Sequence, residues 1–166
     1  MKGCVAWVLI TKILGTVQEA AYQKLPRDLI PLHLETARKR IFRVTSEAGR
    51  DIAARFEKAM DLQSGDVLAI DEGTALVVSI LPEDALLVFP QDIAEATRFA
   101  YEIGNRHAPL YRLPKEENAY AVLYDMPLEA LCKKLGIAFR RQTVRLETRD
   151  RLQLLTPAHE GHQHGG

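Results

Sequence analysis

A chain of 166 residues suits one compact domain or two small ones that share limited core. Its 22 basic and 22 acidic residues cancel, so no net field favours a nucleic acid or an anionic membrane. Cys4 and Cys132 lie far apart and do not imply a disulfide; reduced thiols in a cytoplasmic protein fit them best.

The first half leans toward strands. The apolar run ending at Ile10 is too short to span a bilayer and lacks a convincing cleavage site, so residues 4–10 read as a strand. Further strands are expected at 40–45, 67–70 and 75–81. Ser64-Gly65-Asp66 supplies one turn, and Asp71-Glu72-Gly73 sits between two apolar runs as a hairpin connection should. Pro26 and Pro31 mark residues 25–32 as loop. Residues 50–60 are ambiguous: Ile52, Phe56 and Ala59 make a weak helical stripe in a stretch that is equally compatible with extended chain.

The second half has a clearer grammar. Residues 85–89 form a short apolar strand stopped by Pro90. A helix follows over 91–103, with a stripe of Ile93, Ala96, Thr97, Ala100 and Ile103 and with Asp92 and Glu95 near its start, where the helix dipole favours acids. Gly104 and Asn105 tolerate left-handed backbone and are expected to end it. Strands are expected at 110–113 and, more strongly, at 119–123. A second helix begins near Pro127, turns Leu128, Leu131, Cys132 and Leu135 to one face and closes at Gly136; residues 137–146 return as a strand. The order is β-α-β-β-α-β, the ferredoxin-like pattern. The fold class is α+β: a small N-terminal β domain over residues 1–82, a ferredoxin-like domain over 83–150, and a flexible histidine-bearing tail over 151–166, where little remains to bury.

That tail carries the most specific chemistry. The last eight residues hold His159, His162 and His164, three of the five histidines in the chain. His162 and His164 can reach one ion, His159 adds a third imidazole, and the neighbouring glycines allow the chain to bend around it. Nitrogen donors suit nickel, copper, zinc or cobalt. A solubilising end is the alternative. His107 follows the first helix, and two readings stay open for it. Two copies brought together on a homodimer axis would form the centre of a shared metal site. Otherwise it is a helix-terminal histidine that binds nothing. His33 reads as structural, and Cys4 and Cys132 as core residues. Arg38-Lys39-Arg40 with Arg43 is the only dense basic run. It suits a partner contact or a charged strand edge better than a nucleic acid, which would also want interleaved aromatics. Glycine-rich nucleotide loops, a nucleophile elbow and a zinc-hydrolase His-Glu-x-x-His motif are all missing, so the chain is not expected to be an enzyme.

Three features resemble the UreE family of urease accessory proteins, which are nickel metallochaperones. The first is Gly104-Asn105-Arg106-His107-Ala108-Pro109-Leu110. The second is Leu32-His33-Leu34 followed by Arg38-Lys39-Arg40-Ile41-Phe42-Arg43-Val44, Gly65-Asp66-Val67-Leu68 and Asp71-Glu72-Gly73. The third is the histidine-bearing end. The resemblance runs over nearly the whole chain in the same order. It implies a β domain for partner interaction and a ferredoxin-like domain for metal binding and dimerisation. His107 would be the central ligand, paired with its copy across a homodimer axis, with His159, His162 and His164 completing or feeding the site. The implied task is to bind Ni(II) and deliver it to the urease apoprotein together with the other urease accessory proteins, including their GTPase, with zinc or copper competing for the same imidazoles. No nucleic acid and no membrane enter that picture. Asn118-Ala119-Tyr120-Ala121-Val122 lacks the extra histidines that some members carry there, so secondary sites are not expected. The short tail argues for one or a few ions rather than storage. The family pattern also favours extended chain around residues 50–56. A metal-independent interaction module that docks through the basic strand is the competing reading.

Overall fold

The computed structural model describes residues 7–113, 116 and 118–152. Strands β1 (Val8–Ile10), β2 (Gly15–Thr16), β3 (Arg27–Leu32), β4 (Ile41–Thr45), β5 (Asp51–Arg55), β6 (Asp66–Asp71) and β7 (Thr74–Ile80) come first. They make two sheets, ordered β1-β5-β4 and β2-β6-β7-β3. The β6–β7 hairpin turns on Glu72 and Gly73, with φ of 48° and 77°. Two successive positive φ values give the reversed turn whose twist matches paired strands, as Asp71-Glu72-Gly73 suggested. Asp51–Arg55 is extended, in line with the family pattern.

Two sequence expectations are corrected in this half. Residues 27–32 are a strand, not a loop. Pro31 is tolerated because β3 is the edge of its sheet and pairs only with β7, so a missing N–H breaks no central ladder. Strand β1 holds only Val8–Ile10, and the earlier part of the expected 4–10 strand, with Cys4, lies outside the described residues apart from Trp7, which is not in a strand.

The second half is β8 (Glu83–Phe89), α1 (Ile93–Asn105), β9 (Tyr111–Arg112), β10 (Tyr120–Leu123), α2 (Met126–Leu135) and β11 (Ala138–Val144). The sheet order β11-β8-β10-β9, all antiparallel, is that of a ferredoxin-like fold. Strand β8 explains its own unbroken apolar run. Leu86 and Val88 face the helices and pack with Phe99, Ile103, Leu131 and Cys132. Ala85 and Leu87 face the other way, into a core with Ile30, Leu76 and Ile80 of the first half. The strand is buried on both faces and so has no polar alternation. Each fully buried leucine here contributes about 1.5–3 kcal/mol. The two halves therefore share a core and are not beads on a linker.

A second seam reinforces this junction. The Thr148 hydroxyl, 3% exposed, donates to the Leu62 carbonyl at 2.8 Å. The Ser64 N–H donates to Glu147 Oε2 at 3.0 Å, and the Arg149 N–H to Gln63 Oε1 at 3.1 Å. Residues 147–149 are thereby fastened to 62–64. Thr148→Val keeps the shape but strands a buried carbonyl, so it should lower unfolding stability by about 1–3 kcal/mol while Thr148→Ser stays near wild type. Urea titrations of the three proteins check this; equal midpoints would show the latch to be incidental.

Candidate metal centre

Helix α1 starts on Asp92, whose carboxylate accepts from the Glu95 N–H at 2.8 Å, while Glu95 reaches back to the Gln91 N–H at 2.9 Å. The first bond satisfies an orphan donor of the first turn, and the second ties down the residue before the cap. The helix buries Phe99 and Ile103. The expected stripe is thus partly wrong. Ile93 is 85% exposed, and Thr97 and Ala100 also face outward. The true inward face is set by Phe99, which the stripe omitted.

The end of α1 differs from expectation in an informative way. Gly104 and Asn105 are still helical, and the left-handed residue is His107, with φ of 53°. The His107 N–H donates to the Gly104 carbonyl at 3.0 Å and the Ala108 N–H to the Ile103 carbonyl at 3.3 Å. This pair of bonds is the Schellman closure, in which glycine is the usual left-handed residue. The second helix supplies an internal comparison. There Gly136, φ 69°, donates to Lys133 at 3.2 Å and Ile137 to Cys132 at 3.2 Å, the same pattern with the usual glycine. At the equivalent point of the first β-α-β unit stands an exposed histidine. The signal was available in Pro109, since proline commonly follows a helix end by a residue or two.

Arg106 is held by Glu102 at 2.6 Å, and His107 projects beside an open cavity of about 580 Å³. That cavity is also lined by Ala100, Gly104, Leu110 and Leu152. Leu152 ends the described segment, and its N–H donates to the Leu110 carbonyl at 2.8 Å; Arg151 bridges to Tyr111. The last described residues therefore lie against the segment that closely follows His107. Burial pushes the Tyr111 phenol up in pKa and keeps this support neutral.

The other sequence candidates fall as follows. His159, His162 and His164 lie outside the described residues. His33 Nδ1 sits 3.1 Å from Glu83 Oε1, and the same oxygen accepts from the Leu34 N–H, so this histidine has a structural role between the halves. Cys132 is buried in the helix core, and burial pushes its thiol up, as suits a packing residue rather than a ligand. Among the described residues no group of three or more His, Cys, Asp or Glu side chains converges on one point. None of the described helices is long and apolar enough to cross a membrane. The basic run is divided: Arg38 pairs with Asp61 at 3.3 Å, Lys39 with Glu35 at 2.8 Å, and Arg43 lies over the Trp7 ring.

Comparison with known proteins agrees with this architecture. Residues 10–81 match the N-terminal domain model of the UreE urease accessory protein, and residues 83–166 match its C-terminal domain model. The urease accessory protein UreE of Geobacillus kaustophilus is 34% identical over 95% of this chain and 99% of its own. Its namesake in Staphylococcus carnosus is 32% identical, over 95% and 99%. That of Helicobacter pylori (strain Shi470) is 30% identical, over 92% and 91%. The members assist an enzyme and are not themselves enzymes. With two domain models covering almost its full length and these relatives aligned end to end, the chain belongs to the UreE family of urease accessory proteins.

Proposed function

We propose that this protein is a homodimeric nickel metallochaperone that carries Ni(II) to the urease activation complex. His107 and its copy across a twofold axis form the centre of the site, and His159, His162 and His164 complete or feed it. The observation that carries this reading is the exposed left-handed His107 with Leu152 hydrogen-bonded to Leu110 beside it. His159 lies seven positions and His164 twelve beyond Leu152. Flexible linkers of those lengths span about 15–19 Å, which is the reach the proposal asks of the tail imidazoles.

The outward face of α1 supports the dimer. Ile93, Ala100, Tyr101 and Gly104 form an exposed strip that ends at His107. A Cβ built on Gly104 meets nothing within the protomer, so no intramolecular contact accounts for a helix glycine there. Close approach of a second helix does account for it, and an isologous contact along this strip sets the two His107 side chains near the axis. Imidazoles bind nickel as neutral bases, so protons compete and affinity should fall as pH is lowered. Zinc and copper compete because nitrogen donors alone do not exclude them. The urease apoprotein and the accessory proteins, including their GTPase, are the receiving partners in this reading, and the compartment is the cytoplasm.

Nickel titration by calorimetry, with sedimentation of the same samples, tests the proposal. The full chain should bind a small number of ions per dimer. His107→Ala should lose the tightest step, whereas a chain ending at Thr156 should retain that step with weakened affinity. A monomer throughout, or unchanged stoichiometry and affinity in His107→Ala, would reject it in favour of a metal-independent docking module.

A further inference from the structure

A second cavity, of about 880 Å³, opens at the far end of the β1-β5-β4 sheet. Its rim carries Lys12, Arg40, Arg55 and Lys58 against one acid, Glu57. All four cations are exposed, and among the described residues none has an ion-pair partner. In a chain whose charges cancel, this is a local excess that the fold itself does not use. The floor is apolar: Phe56 is 3% exposed, and Ile13 and Met60 are half-buried and packed on the main core.

The cavity does not stand alone. Arg55 is register-paired with Ile41, and Leu9 with Ala53 on the same outer sheet face. Leu9 is 76% exposed, Ile41 53% and Trp7 44%, so an apolar surface leads directly to the cationic rim. A free inorganic anion needs no such surface. A phosphodiester chain needs cations spread along a track, whereas these gather at one mouth. Acidic side chains for the rim and apolar side chains for the sheet face describe one kind of ligand.

We infer that this surface docks an acidic, apolar-interrupted segment of a partner protein. Its carboxylates would meet Lys12, Arg40, Arg55 and Lys58, and its apolar side chains Leu9 and Ile41. The segments that carry Arg40 and Met60 also carry Arg38 and Asp61, which line the His107 cavity. A partner seated here would touch segments that also line the cavity of the candidate metal centre. The inference stands apart from nickel binding, and its test reads the two separately.

The probe is a dye-labelled peptide of alternating Glu and Leu, followed by fluorescence anisotropy with the full-length protein. Two controls replace Glu by Gln or Leu by Ser. The Glu/Leu peptide should bind about ten-fold more tightly than either control, and its affinity should fall with added salt. The Arg55→Glu/Lys58→Glu double variant should lose the preference, and Lys12→Gln/Arg40→Gln should weaken it. A charge reversal on α2, Lys134→Glu, should leave it intact. All variants should take up nickel as the wild type does, which also verifies their folding. Equal binding of the Gln/Leu peptide would reduce the effect to hydrophobic adhesion. Equal binding of the Glu/Ser peptide would leave a simple anion site. Either result, an unlabelled single-stranded oligonucleotide that outcompetes the peptide, or unaltered binding in the two double variants would overturn the inference.

Discussion

Replacing His107 by glycine should make the metal-free fold more stable and abolish the principal nickel site. The left-handed region brings the Cβ of an L-residue too close to its carbonyl oxygen, at a cost of about 1–2 kcal/mol. His107, with φ of 53°, carries that cost in a closure whose counterpart on α2 is the unstrained Gly136. Part of the gain is offset because glycine leaves the unfolded chain freer. A net gain of about 1 kcal/mol raises the melting temperature of a chain this size by about 2–4 °C. His107→Ala keeps a Cβ and the strain, so it should gain little stability while losing nickel equally. The pair thus separates backbone strain from ligand chemistry. Thermal melts in chelator and nickel titrations of both variants supply the comparison. If His107→Gly melts no higher than His107→Ala, the left-handed backbone costs nothing here. If either variant binds nickel like the wild type, the imidazole is not the ligand.

The same residue shows what a sequence can and cannot disclose. The Gly-Asn-Arg-His stretch marked the place, and composition marked the tail, because both are local signals. The β6–β7 hairpin and both ends of α2 were legible for the same reason: Glu72-Gly73, Pro127 and Gly136 each dictate their own backbone. The inward face of α1 was not. Ile93 and Ala100 look like core by spacing, and only the sheet beneath shows that Phe99 and Ile103 fill that space. Strand β3 escaped because Pro31 is a breaker in a central strand and harmless at an edge, and edge position is a property of the assembled sheet. The approach of Leu152 to the segment after His107 depends on long-range pairing of Leu152 with Leu110 and Arg151 with Tyr111, with no trace in local pattern.

Asp28→Asn should be among the most damaging single changes in the N-terminal half. Asp28 lies in β3, and its side chain is almost wholly buried, at 2% exposed. It accepts from the Ser46 hydroxyl at 2.6 Å, the Ala48 N–H at 3.0 Å and Arg50 at 2.7 Å. Arg50 also reaches Asp71 at 2.9 Å. Ser46, Ala48 and Arg50 belong to the turn between β4 and β5, whereas Asp28 and Asp71 belong to the other sheet, so one carboxylate clamps two sheets together. An amide of the same size cannot accept from all three donors and leaves Arg50 with Asp71 alone. Removing one partner of a buried ion pair costs about 3–5 kcal/mol, and the retained Asp71 contact puts this case near ~3 kcal/mol. Burial pushes the Asp28 carboxyl up in pKa, but the Ser46 hydroxyl, the Ala48 N–H and Arg50 outweigh it and hold the group below the ordinary carboxylate range. A depressed folded value means the unfolded chain binds the proton more readily. The stabilisation is therefore complete above the unfolded pKa and drains away as pH falls through the folded one. Urea unfolding as a function of pH should show a steep acid limb in the wild type. In Asp28→Asn that limb should be shallower, with lower stability at neutral pH. Parallel curves for the two proteins would mean that the carboxylate's charge is not what joins the sheets.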